Sequence, residues 1–144
     1  MKALPILNRR GLLSLALAVA ATSHHAPAQE AEPERPRRFM MENAMTGEVI
    51  DDDILLGKVS LLYFGYTHCP DICPASLLQM ADVLKKVGAD SVRVQPIFVT
   101  VDPGRDTATV MREYVTSIDS RIVPLRGPVP YTDAMVKAFN AQYE

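Results

Sequence analysis

The stretch YFGYTHCPDICPASL, from Tyr63 to Leu77, holds the chain's only cysteines, Cys69 and Cys73. Three residues separate them, and Pro70 and Pro74 follow them directly. Three chemistries use such a pair: a structural disulfide, a redox-active dithiol, or a soft-metal site. A disulfide here closes a very small loop, which restricts the unfolded chain little and makes a poor staple. A redox dithiol fits a strand–turn–Cys pair–helix arrangement, although thioredoxin-type catalysis usually has two intervening residues, and three alter the redox poise. Two thiolates also suit Cu(I), which accepts low coordination and prefers sulfur. Structural zinc needs about four ligands, and the chain has no second Cys or His cluster. The spacing alone leaves metal and redox chemistry level.

The elements around the pair fix its setting. Lys58 to Thr67 is a short apolar run with the length and β-branched content of a strand buried on both faces. Pro74 to Val87 carries Leu77, Ala81, Leu84 and Val87 at helical spacing, with Lys85 and Lys86 in its last turn and Gly88 as a stop. Val92 to Asp102 reads as a second buried strand. Asp106 to Ile118 reads as a second helix, with Asp106 as its N-cap and Val110, Tyr114 and Ser117 on one face. Ile122 to Gly127 is a third strand, and Tyr131 to Tyr143 a third helix with Met135, Phe139 and Tyr143 as its stripe. This alternation implies a parallel sheet covered by helices. Ligands of open α/β sheets bind beyond the carboxyl ends of the strands, where the cysteines fall. Residues before proline avoid the α region. Cys73 is therefore expected as the N-cap and Pro74 as the first helical residue, a place where free N–H groups favour thiolate. Asp71 opposes this by its charge.

The first 28 residues read as an export signal. Lys2, Arg9 and Arg10 precede an apolar run from Leu12 to Ala21, and Ala26-Pro27-Ala28 fits a cleavage site. The run is about half the length of a spanning helix, which ranks an uncleaved membrane anchor below a cleavable signal. Arg9-Arg10 before Gly11-Leu12-Leu13 also resembles a twin-arginine signal. Residues 29–38 are polar and proline-containing and read as a flexible linker, and the folded domain is expected over 39–144. The 144 residues are 48% apolar and 22% charged, which is globular and sized for one domain. Without the signal, 12 basic side chains face 17 acidic ones. That balance argues against nucleic acid or anionic lipid as the main partner. Outside the cytosol a working thiol pair also needs a reductant.

YFGYTHCPDICP followed by VTVDPGRDT resembles the Sco/SenC family of copper-binding assembly proteins. The likeness runs from Met45 to Tyr143 and includes Gly57-Lys58, Asp102, Pro103, Arg105, Asp106, Tyr114 and the Leu125-Arg126-Gly127 stretch. It implies a thioredoxin-like fold, with a central sheet flanked by helices, and makes Cys69 and Cys73 the two thiolate copper ligands. It implies an exported or membrane-tethered metallochaperone that helps deliver copper to the binuclear centre of cytochrome c oxidase. Its partners would be the oxidase's copper-binding subunit or another copper chaperone, and a thiol reductase. The family's third ligand, a histidine after the third helix, and its closing β-hairpin have no counterpart before Glu144, so the resemblance implies a fragment. The same pair as a redox disulfide, in a thiol–disulfide oxidoreductase, is the alternative. A peroxidase-like enzyme needs a base beside one thiol, a place only His68 offers.

Other residues are weighed against blander roles. His68 abuts Cys69, but adjacent residues point apart and chelate poorly, so a supporting role is expected. His24 and His25 lie in the signal. Arg105 is expected to pair locally and Asp106 to cap a helix, while Asp102 stands open between a turn and a functional acid. Of the methionines, Met80, Met111 and Met135 fall in helical core stripes, and Met40, Met41 and Met45 are expected to pack.

Overall fold

The computed structural model describes residues 39–143. The expected export signal, residues 1–28, and the expected linker, residues 29–38, fall outside these residues. A five-stranded mixed sheet has the order β2-β1-β5-β4-β3. Its strands are β1 (Met40–Asn43), β2 (Val49–Asp51), β3 (Val59–Gly65), β4 (Val94–Thr100) and β5 (Val123–Arg126). Among the described residues the α-helices are α1 (Ile72–Val87), α2 (Ala108–Ile118) and α3 (Val129–Ala138). β3, β4 and β5 are parallel. The sheet is not wholly parallel as expected, because β1 pairs antiparallel with both β2 and β5.

β4 is the central element. Alternate side chains leave a strand on opposite faces. Ile97 and Val99 therefore join Phe39, Met41, Leu125 and Met135 on one face, while Phe98 joins Leu77, Met111, Val115 and Ile122 on the other. Each fully buried aliphatic or aromatic side chain contributes about 1.5–3 kcal/mol. Pro96 lies in this inner strand without breaking it, because the β4–β5 pairing begins one residue later, at Ile97.

β3 departs from expectation. It is an edge strand in the described sheet, and Ser60 to Phe64 are only partly covered. In α1 the predicted stripe holds for Leu77, Ala81 and Leu84, whereas Val87 is exposed. Gly88 ends the helix with a positive φ of 65°, a conformation glycine adopts without strain. In α2 the buried face is Met111 and Val115, one position round from the predicted Val110, Tyr114 and Ser117. In α3 Met135 is fully buried, but the helix ends before Tyr143, which is exposed. No helix among the described residues is long and apolar enough to cross a membrane.

Candidate metal and thiol site

Both cysteines are free thiols and both are buried, Cys69 at 8% and Cys73 at 3% exposure. They stand beyond the carboxyl end of β3, as expected for an α/β site. They ride on different supports. The chain leaves β3 at Gly65 and turns, with the Cys69 N–H donating to the Tyr66 carbonyl at 3.3 Å. Cys73 already lies inside α1. The helix starts at Ile72 with Asp71 as its N-cap, which corrects the expectation that Cys73 is the cap. The first turn still forms through Pro74, which has no N–H to leave unsatisfied.

Cys73 packs over the end of β3, with its Sγ close against Gly65. The Tyr63 hydroxyl is within hydrogen-bonding reach of Cys73 and Ser76, and burial raises the Tyr63 pKa. The two thiols differ in acidity. A hydrogen bond from Cys73 and further ones from the Asp71 and Ile72 backbone hold the Cys69 thiol below its usual range. Burial and the shared contact with Cys69 push Cys73 up. Of the two, Cys69 is the thiol that loses its proton more readily and Cys73 the one that keeps it.

Asp106 is the residue that sequence reasoning misplaced. The N-cap of α2 is Thr107, whose hydroxyl accepts from the Val110 N–H at 3.3 Å. Asp106 is fully buried, and its carboxylate reaches back to the cysteine turn. The Thr67 N–H donates to Oδ2 at 3.0 Å and the Thr67 hydroxyl to Oδ1 at 2.6 Å. The Thr100 hydroxyl, at the end of β4, donates to Oδ2 at 2.6 Å. His68 Nδ1 lies 3.5 Å from Oδ1 and 3.1 Å from the Thr67 hydroxyl. The His68 ring is therefore tied on its Nδ1 side, a supporting place. Among the described residues no group of three or more His, Cys, Asp or Glu could hold a metal ion. The site offers two soft donors.

Asp102 and Arg105 form the rim. They are paired with each other, as expected for Arg105. That guanidinium holds the Asp102 carboxyl below its usual range and lies 5.8 Å from the centre of the Tyr66 ring, a cation–π distance. Arg126 braces the back of the site. It donates to the Asp106 carbonyl at 3.2 Å, the Pro103 carbonyl at 3.4 Å and the Glu42 carboxylate at 2.9 Å.

The comparisons agree with this geometry. A SCO2-like protein from Rickettsia felis is 36% identical over 97 residues, which is 67% of this chain and 47% of that protein. The chain thus spans about half the length of the curated relative it matches. The copper-bound structure of Bradyrhizobium japonicum ScoI superposes with a TM-score of 0.67 at 37% identity, over 72% of this chain and 65% of that one. BsSco, described by a disulfide switch and as a member of the Sco family of cytochrome c oxidase assembly proteins, matches with a TM-score of 0.63 at 25% identity, over 78% and 70%. These neighbours bear out the thioredoxin-like class. The SCO1/SenC family model matches residues 28–144, and the chain belongs to that family.

Proposed function

We propose that this chain carries copper through Cys69 and Cys73 and passes it to an acceptor during cytochrome c oxidase assembly. The observation that carries the reading is the pair itself: two buried, free thiols at the carboxyl end of a parallel strand, one of them more acidic than the other. A family relative with copper bound supports the cargo, and the description of BsSco supports the oxidase context. Cu(I) entering the site displaces the protons of the two thiols and is held by two thiolates. Two-coordinate copper leaves room for a third ligand. A third, exchangeable ligand, a histidine in the family pattern or a ligand of the acceptor, fills that place, and exchange of that ligand hands the ion on. The protein is then a metallochaperone rather than an enzyme. It works outside the cytoplasm after export, near the membrane that holds its acceptor. The acceptor is the oxidase's copper-binding subunit or another chaperone. A thiol reductase keeps the pair reduced, giving up two electrons and two protons to a Cys69–Cys73 disulfide.

An anaerobic Cu(I) competition titration tests this. One tightly held ion per reduced chain, lost in both Cys69→Ser and Cys73→Ser, is the expected result. Weak binding beside rapid reduction of a target disulfide would replace it with the second reading, a thiol–disulfide oxidoreductase. That reading has its own support in the unequal acidity of the two thiols.

A further inference from the structure

We infer that Asp106 is the positioning residue of the cysteine turn, and that its buried carboxylate sets where Cys69 stands relative to Cys73. A carboxylate with no exposure costs several kcal/mol unless its lone pairs are filled. Here they are filled by neutral donors, and among the described residues no lysine or arginine side chain pairs with it. Two of the donors come from Thr67 alone, its N–H and its hydroxyl. Thr67 is an inner residue of the turn that the Cys69 N–H closes onto Tyr66. A two-point grip on one turn residue fixes that turn's orientation.

The grip is itself anchored. The Asp106 N–H donates to the Asp102 carbonyl at 3.0 Å, and its own carbonyl accepts from Arg126 of β5. Thr100 ties the carboxylate to the last residue of β4. The Cys73 backbone is placed otherwise, by the first turn of α1 and by its packing on Gly65, and its thiol meets the turn through Cys69 and the Tyr66 backbone. The two cysteines stand on two backbone supports, and Asp106 anchors the one that carries Cys69. Loosening that support moves Cys69 and the geometry between the sulfurs directly, and reaches Cys73 only through the contacts its thiol makes with the turn. This rests on Cys69 and Cys73 being the working pair, but not on what the pair binds.

The test uses the reduced, copper-free full chain and the variants Asp106→Asn, Thr67→Val and Thr100→Val. Mass spectrometry follows iodoacetamide labelling of each cysteine, and a glutathione redox buffer gives the dithiol–disulfide equilibrium. In Asp106→Asn and Thr67→Val the Cys69 rate changes by about fivefold or more, and that of Cys73 changes by less, so the ratio of the two rates moves. The equilibrium constant moves by about tenfold, or about 30 mV. Thr100→Val acts in the same direction and more weakly. Combining Asp106→Asn with Thr67→Val adds little, because both remove one interaction. A merely structural role lowers the melting temperature and leaves the ratio of the two rates alone. That result overturns the inference, as do equal changes at both cysteines. If Asp106→Asn fails to fold, Thr67→Val, which keeps the backbone bond, decides by the same criteria.

Discussion

Gly65 and Cys73 share one space. A Cβ on Gly65 would stand 3.0 Å from Cys73 Sγ and 2.9 Å from Tyr63 Cε1, with Phe98 Cε2 at 3.3 Å. Gly65 is not in the left-handed region, so room rather than backbone freedom selects glycine. Without a side chain here, the helix can set a thiol directly on the end of β3.

Gly65→Ala should therefore injure both fold and site. Overpacking of this kind costs about 1–3 kcal/mol. The sulfur must move to admit the methyl group, so Cu(I) binding should weaken by about tenfold, or about 1.4 kcal/mol. Urea unfolding and a Cu(I) competition titration read the two effects. A variant that loses stability but keeps its affinity would show that the ring of Tyr63, not the sulfur, gives way.

The unequal thiols predict order and pH dependence. The lowered Cys69 value means that thiolate persists to lower pH than in a free cysteine, so its labelling rate should rise with pH through a midpoint below the ordinary range. The raised Cys73 value delays its labelling to alkaline pH. At neutral pH, limited iodoacetamide should mark Cys69 first, as read by peptide mapping. Stability follows the same signs. The Cys69 contribution is present above the unfolded value and lost as pH falls through the folded one. Burial of Cys73 as a thiol favours folding below the unfolded value, and that advantage is lost as pH rises through the folded one. Preferential labelling of Cys73 at neutral pH would reverse the assignment.

The order β3-α1-β4-α2-β5-α3 was legible because each element carries a long apolar run or stripe of its own, such as Leu77, Ala81 and Leu84. β1 and β2 were not. MMEN and VID are too short to show alternation, and they are strands because β5 offers an edge for β1 to pair with. The cysteine pair was legible from composition alone. Asp106 was not, since Asp and Thr are both good N-caps and stand adjacent. Only the tertiary fold, which brings Thr67 across 39 residues of sequence, decides that Thr107 caps and Asp106 turns inward. The face of α2 slipped by one position for a related reason: Tyr114 is large enough to reach Phe98 from the flank of the helix, with ring centres 5.7 Å apart.

Thioether ligation is open to test at the N-terminal methionines. Met41 is buried against Leu125 and Met135, whereas Met40 and Met45 are exposed. In the strand order β5 and β4 lie between β1 and the cysteine-bearing β3. Three strand spacings amount to about 14 Å, beyond the reach of a shared copper ion. Met40→Leu and Met45→Leu should leave the Cu(I) affinity within about twofold. Met41→Ala should cost about 2–5 kcal/mol of stability through its cavity and also leave the affinity alone. A copper affinity that falls in Met40→Leu would bring a thioether into the site.

Tyr114 carries a buried hydroxyl that finds no hydrogen-bond partner among the described residues. Burial pushes its pKa up to about 12, and the charges of Cys73 and Cys69 act in the same direction. Leaving a buried hydroxyl unsatisfied costs about 1–3 kcal/mol, so Tyr114→Phe should be neutral or stabilising by up to about 1 kcal/mol. The ring stays against Phe98, and only the oxygen is lost. A gain of 1 kcal/mol raises the melting temperature of a domain this size by about 4–8 °C. Thermal unfolding of the reduced, copper-free chain measures it. A clear drop in melting temperature would mean that the hydroxyl has a partner in solution. An unchanged melting temperature joined to a loss of Cu(I) affinity would mean that the phenol serves the sulfurs once they are both thiolates, which would make Tyr114 part of the site rather than part of the core.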